Sequence, residues 1–406
     1  MAPRPNEPLI PEKRLLVCCA RTKVPNSIAE EIRQLAGVPL DWDLLFVEAS
    51  NHSVAPLLCR QLSLLASDLF DSVCAQRLQE IGDSFALRNL RLTAELLKVV
   101  NQFQSAGIQA IPYKGPVLAA QAYGDLALRE FEDLDIVLRQ RDITTTHEVM
   151  VSLGYRPKFP WILSAKPGAS FAPAEYSYRN DTQGTMIELH TERTLRHFPL
   201  PANIDDLAAR LMAVSVGGQN LQTFSPEDTL LLLSIHGSKH FWQRLSWIAD
   251  ISESVQSCPQ LDWDQVFDRA RTTRANRILA VSLVLALRLF APALPREVLA
   301  RIESDSKATS IAQQIERQLL SCMPREANAV ARFHLRRDML EGWLEGWRYS
   351  LRLTTLPSDE DWSAMRLPSF LAPLHAVVRP FRLLRKYRAS AAAPSPGSIA
   401  DRQASN

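Results

Sequence analysis

The sequence lacks the features that mark extracellular, zinc-binding and membrane-spanning proteins. Its six cysteines have no paired CxxC spacing, and most stand within apolar patterns, so we predict reduced core thiols and not disulfides or a zinc site. The N-terminal stretch has no apolar core of the kind that a signal peptide needs. The longest mostly apolar run, Ile278 to Leu287, is too short to span a bilayer. We therefore expect a cytoplasmic protein without a transmembrane segment.

An excess of charge of either sign is also absent. The 46 basic residues nearly balance the 44 acidic ones, which gives a net charge of +2. A chain with so little net charge has no global field for nucleic acid, so we expect no extended nucleic-acid binding. Hydrophobic residues make up 46% and charged residues 22%, the composition of an ordinary globular protein. The length of 406 residues allows two or three domains.

The spacing of apolar residues changes along the chain and suggests a division into segments. Helical spacing governs two long stretches, and a stretch between them mixes strands with helices. Proline-rich and Ala/Ser/Pro-rich ends are expected to be disordered. The segments are 1–14 (disordered), 15–103 (helical), 104–204 (mixed core), 205–356 (helical), 357–388 (extension with a basic helix) and 389–406 (disordered tail).

The stretch from Ile108 to Leu138 organises the mixed core. Its residues predict a strand from Ile108 to Tyr113, a tight turn, a helix and then a second strand. Gly115, followed by Pro116, is typical of a helix start. The N–H groups at a helix N-terminus can bind phosphate, and Lys114 stands beside them.

Two carboxylates at the start of the second strand indicate a metal site. Asp133 and Asp135 are two residues apart, so both side chains point to one face of a strand. Like charges repel there, and a divalent cation such as Mg²⁺ removes that cost. Glu188 is a further carboxylate, within a predicted hairpin strand. The alternatives are that the aspartates flank an exposed connector and that Glu188 faces solvent.

A helix that begins at Ser225-Pro226 carries a second group of polar residues. His236, Lys239 and His240 share one face at spacings of three and four. No HExxH glutamate follows the first histidine, so we expect one histidine in the core and the other in a polar cleft. Lys239 can reach a phosphate as a point charge.

The segment 379–388 is basic and carries an apolar stripe. We expect a helix that begins at Pro380 and packs on the protein's own helices through Phe381 and Leu384. Peripheral contact of this segment with an anionic membrane surface is the alternative.

The order of these motifs resembles the uncharacterised nucleotidyltransferase family of the DNA polymerase β-like superfamily. The motifs are Lys114-Gly115, Tyr123-Gly124-Asp125, Arg129, Asp133-Leu134-Asp135, Gly154-Tyr155 and Glu188-Leu189-His190. The resemblance implies an α+β fold, with a small mixed β-sheet core flanked by N- and C-terminal all-helical regions. It also implies that Asp133, Asp135 and Glu188 are the metal-binding and catalytic residues. Where the superfamily commonly has Gly-Ser, this chain has Lys-Gly, which leaves the pose of the nucleotide open.

The expected activity is transfer of a nucleoside monophosphate from an NTP, such as ATP, to a hydroxyl of an acceptor, with two Mg²⁺ ions. The nucleotide would be bound by Lys114, Gly115, Arg129 and Lys239. A small molecule, a sugar, a protein or an RNA end all remain open as the acceptor. Two other functions also remain open: a metal-dependent nucleotide-sugar glycosyltransferase and a non-catalytic nucleotide-binding adaptor.

Overall fold

The structure is a computed structural model that describes residues 9–158, 175–191, 203–321, 329–342, 346, 347, 374, 377–382 and 385. The predicted disordered tail 389–406 lies outside the described residues, as does most of the extension 357–388. Residues 11–14, within the segment predicted to be disordered, belong to the first helix. Lys13 is buried there and lies 3.2 Å from Glu48, which anchors that helix.

Five helices of the described residues precede the sheet, in the segment that the sequence predicts to be helical. Asp41 caps the third of them and accepts a hydrogen bond of 2.9 Å from the backbone N–H of Leu44. Among the cysteines, Cys18, Cys19 and Cys59 are buried free thiols. The helices are α1 (Pro11–Cys19), α2 (Asn26–Ala36), α3 (Trp42–Asn51), α4 (Ala55–Leu65) and α5 (Ser72–Ser105).

A mixed five-stranded sheet follows, and it confirms the predicted α+β class. The strands are β1 (Ile111–Pro112), β2 (Asp133–Val137), β3 (Arg156–Pro157), β4 (Glu175–Asn180) and β5 (Thr185–His190). Their order is β1-β2-β5-β4-β3, and β2 runs parallel to β5 while the other neighbours are antiparallel. Between β1 and β2 lie the short helix α6 (Gly115–Leu118) and a π-helical turn (Ala119–Tyr123); α7 (Ile143–Ser152) follows β2.

The predicted hairpin that contains Glu188 is confirmed as β4 and β5, whereas the first predicted strand is shorter than expected. It covers only Ile111 and Pro112 of the predicted 108–113. Pro112 has no N–H to donate, and β1 stands at the edge of the sheet, where a proline is tolerated.

The sequence predicts that the segment 205–356 is helical, but this segment also contains two strands. Strands β6 (Met212–Val216) and β7 (Gln219–Thr223) form an antiparallel hairpin. Gly217 and Gly218 join them with φ of 56° and 82°, the positive values that a tight two-residue hairpin requires. The pattern of apolar residues misses this turn chemistry.

Helices complete the described chain. Ser225 caps α9, as the sequence predicts, and Pro226 takes its first position. No helix in the ranges described is long and apolar enough to cross a bilayer. The helices are α8 (Ile204–Ala208), α9 (Pro226–Lys239), α10 (Leu245–Ser257), α11 (Trp263–Thr272), α12 (Asn276–Phe290), α13 (Arg296–Glu303), α14 (Ser306–Leu319) and α15 (Ala329–Asp338).

The basic segment differs from its prediction. Residues 377–379 are already helical, so the helix does not begin at Pro380. A proline removes a single N–H donor, and the helix continues past it here. Phe381 is 70% exposed, so the prediction that it packs on the protein's own helices is wrong. Leu384 lies outside the described residues.

A buried ion pair joins the core segment to the helices that follow it. Arg129 donates from Nε and Nη2 to the two carboxylate oxygens of Asp250 in α10, at 2.8 and 2.9 Å. The hydroxyl of Tyr123 donates to the same carboxylate at 2.7 Å. Both side chains are largely buried, so bulk water screens this bidentate pair only weakly. The pair fixes α10 against the connector that leads into β2.

We predict that Asp250→Asn lowers the free energy of unfolding by about 3–5 kcal/mol, because it leaves the Arg129 guanidinium buried without a counter-charge. Urea denaturation of the variant and the wild type measures the loss. Asp268→Asn is the control, because Asp268 and Arg271 form an exposed pair worth at most about 1 kcal/mol. A loss for Asp250→Asn no larger than that of the control would contradict the prediction.

A second prediction concerns Gly237, which lies in α9 against Trp242. A Cβ atom at position 237 would stand 2.2 Å from Nε1 of Trp242, which is fully buried. We expect Gly237→Ala to destabilise the protein by about 1–3 kcal/mol through overpacking. Gly82→Ala in α5 is the matched control, because its Cβ would meet nothing closer than 3.9 Å. There the helix propensity of alanine should raise stability by up to about 1 kcal/mol, so the two variants shift the melting temperature in opposite directions.

Candidate active site

A cleft of about 430 Å³ lies between the sheet and helices α9 and α10. The turn between α3 and α4 also reaches it, through Ser53. Every residue that the sequence analysis assigned to the site lines this one cleft. They are Lys114, Gly115, Arg129, Asp133, Asp135, Glu188 and Lys239. The fold therefore brings together residues that are up to 125 positions apart, and their individual roles remain predictions.

Strand pairing places two of the carboxylates side by side. Asp135 of β2 and Glu188 of β5 are register partners on the parallel pair. Paired residues of neighbouring strands point to the same face of a sheet, so both side chains enter the cleft. Asp133 pairs with Met186 two positions earlier and lines the same cleft.

Asp135 is the most strongly held of these carboxylates. Its Oδ1 atom accepts from Nζ of Lys114 and from Nε2 of His190, each at 2.8 Å. Burial alone would raise the pKa of Asp135, but the charge of Lys114 and the hydrogen bond from His190 outweigh burial and hold that pKa well below its usual value. Asp135 is therefore ionised at neutral pH.

The other two carboxylates shift in the opposite direction. Burial raises the pKa of Glu188 to about 8, and the neighbouring carboxylates of Glu175, Asp135 and Asp133 add to the rise. Burial and the charge of Asp135 also raise the pKa of Asp133. A cluster of acids whose pKa values diverge in this way is common at functional sites, and a bound cation would reverse the upward shifts.

Three side chains could hold a cation together. Asp135, Glu188 and His190 each offer one ligand atom, and these atoms all lie within 4.8 Å of one another. His190 was part of the family motif, but the sequence analysis gave it no role. It stands two residues after Glu188 on β5, so the strand period already places it on the same face.

The donor set fits Mg²⁺ through its oxygen atoms. Carboxylates suit Mg²⁺, whereas imidazole suits softer transition metals. His190 already donates to Asp135, which is the usual way in which a neighbouring group orients a metal-binding carboxylate. The Nδ1 atom of His190 lies 3.7 Å from a carboxylate oxygen of Glu175. The sequence analysis did not identify Glu175 as a residue of the site. Asp133, Asp135 and Glu188 could thus hold the metal, with His190 behind them.

The turn before α6 gives Lys114 its position. Lys114 and Gly115 have φ values of 43° and 44°, which are unusual for lysine and free of strain for glycine. Burial would lower the pKa of Lys114, but Asp135 and Tyr113 outweigh it and raise that pKa, so the ammonium stays charged. The helix that follows has only four residues, so the lysine contributes more positive charge to the cleft than the helix terminus does.

Arg129 and Lys239 differ in how far they are available to a ligand. The Arg129 guanidinium is already held by Asp250, although the residue lines the cleft. The ammonium of Lys239 lies 4.0 Å from Glu175, and its side chain is 38% exposed. From α15, Arg336 donates to the carbonyl of Lys239 at 2.7 Å and so fixes the end of α9.

His236 of α9 and His240, which follows the end of α9, both line the cleft, where the sequence analysis expected only one of them. Their ring centres are 4.9 Å apart, and Trp247 packs 5.0 Å from His240. Burial lowers the pKa of His240 to about 4 and lowers that of His236 as well. Both rings are therefore neutral at physiological pH.

Residues far apart in the sequence complete the wall. Ser53, Arg244 and Trp247 carry no local signal that could have placed them here, because only the packing of helices brings them to the sheet. Glu130 also lines the cleft, and its Oε2 atom is buried. Burial raises the pKa of Glu130 to about 7.

Two solved structures resemble part of the chain. The solution structure of the antibiotic-resistance factor ANT(2'')-Ia resembles the chain with 10% identity and a TM-score of 0.33, over 46% of this chain and 94% of that one. An antigenic nucleotidyltransferase-like protein from Paracoccidioides brasiliensis resembles it with 14% identity and a TM-score of 0.31, over 52% of this chain and 97% of that one. No curated protein matches the sequence.

The sequence model of one family covers more than half of the chain. It is described as "Uncharacterised nucleotidyltransferase" and matches residues 39–291. The match runs from the helices before the sheet to the end of α12, and thus includes every cleft residue named above. The chain belongs to the uncharacterised nucleotidyltransferase family and is a transferase of phosphorus-containing groups.

Proposed function

We propose that the protein transfers a nucleoside monophosphate from an NTP to a hydroxyl group of an acceptor, in a reaction that depends on Mg²⁺. The observation that carries this proposal is the pairing of Asp135 with Glu188 at the floor of a cleft that also holds Asp133, Lys114 and Lys239. Acidic ligands for a cation and basic ligands for phosphates are what such a transfer needs together.

In the proposed reaction the acceptor oxygen forms a bond to the α-phosphorus of the NTP. The bond from that phosphorus to the β-phosphate oxygen breaks, and pyrophosphate leaves. The acceptor hydroxyl gives up its proton to solvent. Two Mg²⁺ ions, held by Asp133, Asp135 and Glu188, would supply the charge that stabilises the attacking and leaving oxygens.

The protein's own side chains would bind the metal ions and the phosphates of the NTP. Asp135 stays ionised at every relevant pH because Lys114 and His190 hold its pKa down. The ammonium of Lys114 lies 2.8 Å from that carboxylate, so it can reach a phosphate oxygen bound beside it. Lys239, at the opposite wall, can balance the charge of the remaining phosphates. Gly115 and Arg129 remain part of the proposed nucleotide site, Arg129 as a fixed charge.

Substitution of Asp135 by asparagine tests the metal assignment. We expect calorimetry to detect Mg²⁺-dependent binding of at least one of ATP, GTP, CTP and UTP to the wild type. Asp135→Asn should weaken that binding by about 100-fold or more, because an amide cannot replace an ionised metal ligand. The control is Asp181→Asn in the turn of the same hairpin, where the carboxylate is exposed and pairs with Arg179.

Two results would contradict the assignment. The first is a wild type that binds none of the four nucleotides with Mg²⁺. The second is an Asp135→Asn variant that keeps its affinity while it retains the melting temperature of the control. Glu188→Gln, whose side chain is less buried than that of Asp135, provides a second variant if Asp135→Asn fails to fold.

Isotopic label identifies both the reaction and the class of the acceptor. We incubate the wild type with a cell extract and an NTP that carries label on either the α- or the γ-phosphate. The proposal predicts that α-label alone enters an acceptor and that Asp135→Asn abolishes its transfer. Fractionation then assigns the acceptor to small molecules, sugars, proteins or RNA ends. Transfer of γ-label would indicate a kinase, and release of a sugar phosphate from a nucleotide-sugar would indicate a glycosyltransferase.

A further inference from the structure

The cleft has a second group of lining residues besides the carboxylates and lysines. Ser53, Glu130, Arg244 and Trp247 all line it. Arg244 connects them: its Nη1 donates to the hydroxyl of Ser53 at 3.2 Å, and its guanidinium lies 5.6 Å from the ring centre of Trp247. We call these four residues the outer group.

Glu130 is the unusual member of the outer group. Its Oε2 atom is buried and has no hydrogen-bond partner among the described residues. Besides burial, the charges that act on this carboxyl are those of Arg88, Glu132 and Arg244. The charges that act on Glu188 are instead those of Glu175, Asp135, Asp133 and Lys114. The two carboxyl groups therefore stand in different electrostatic surroundings of the same cleft.

A buried carboxyl oxygen without a partner is unfavourable for the protein alone. Leaving such a group unsatisfied costs free energy that a hydrogen bond from a ligand can recover. An acceptor atom of this kind suits a ligand that brings an N–H or O–H donor into the cleft. Glu130 therefore has a chemical reason to contact a ligand, which an exposed glutamate would not have.

In the same cleft as this carboxyl, Trp247 supplies an aromatic surface. His240 packs against one side of it, with the two rings tilted by 35°. The guanidinium of Arg244 lies over the indole, and Arg244 is itself exposed. A guanidinium is planar and stacks on aromatic rings, so a planar base that displaces the exposed Arg244 side chain can lie on the same face of Trp247. The cleft thus contains both a stacking surface and an unsatisfied hydrogen-bond acceptor.

We propose that the outer group binds the nucleobase of the NTP, with Trp247 stacked on the base and Glu130 accepting from an amino or imino N–H on its edge. This inference rests on the proposed function, which places the triphosphate at Lys114 and the carboxylates. The base is the part of the NTP that neither the metal ligands nor the lysines contact. Stacking on an aromatic ring does not distinguish one base from another, whereas a carboxylate acceptor selects bases by the hydrogen-bond donors that they present.

Substitution of Trp247 and substitution of Glu130 should therefore change the nucleotide affinities in different ways. We measure the affinities of ATP, GTP, CTP and UTP, and of inorganic tripolyphosphate as a base-free probe, by calorimetry with Mg²⁺. Trp247→Leu should weaken the binding of all the nucleotides about tenfold, because every base has a face that stacks. Tripolyphosphate should bind the variant as it binds the wild type.

Glu130→Gln should change the order of preference among the nucleotides. It should weaken the nucleotide that the wild type prefers by about tenfold or more, because the amide replaces an acceptor oxygen by a donor. Tripolyphosphate affinity should stay the same. Glu80→Gln in α5 is the control, because it removes a glutamate charge from an exposed side chain outside the cleft. That control should keep the order of preference.

Stability separates a binding role from a structural one. Glu130 has a buried oxygen without a partner, so Glu130→Gln should leave the melting temperature unchanged or raise it. The inference is overturned if both variants keep the wild-type nucleotide affinities, or if tripolyphosphate loses affinity as much as the nucleotides do. If the wild type binds tripolyphosphate but prefers no nucleotide over it, the outer group does not bind a base and the proposed metal site still stands. If the wild type binds neither, both proposals fail.

Discussion

The parallel pairing of β2 with β5 is the constraint on which the rest of the molecule depends. Its hydrogen bonds set Asp135 opposite Glu188, and a register shift of one residue would turn one of these side chains to the other face. Antiparallel neighbours on both sides hold the pair in the middle of the sheet. The protein thereby keeps several acids close together, although their mutual repulsion opposes folding.

Ion pairs within and behind the cleft hold several of its charged side chains in place. Lys114 and His190 hold Asp135, so one carboxylate is fixed in its ionised form while Glu188 and Asp133 titrate at higher pH. Behind them, Arg129 is bound by Asp250 and ties the connector before β2 to α10. The cleft can thus offer both an anionic floor and cationic walls because Asp135 and Arg129 each lie 2.8 Å from a group of opposite charge.

The sequence predicted the parts of the site that local pattern controls. The spacing of Asp133 and Asp135, the Lys114-Gly115 turn and the Ser225 cap each follow from a few neighbouring residues, and the order of motifs identified the family. Pattern could not predict the hairpin at 212–223, where two glycines decide the turn, or the early start of α1. It also could not place Ser53 or Trp247 in the cleft, since their position depends on how helices pack over long distances in the chain.

That dependence on packing has a consequence for how this site can be inherited. Its walls come from the turn between α3 and α4, from the sheet and from α9 and α10, segments that span about 200 positions of the chain. The strands alone would carry the acids without the surroundings that set their pKa values. Recombination that moved only the sheet to another protein would transfer the ligands but not the cleft. A protein that acquired this site would therefore have to acquire all of these segments together.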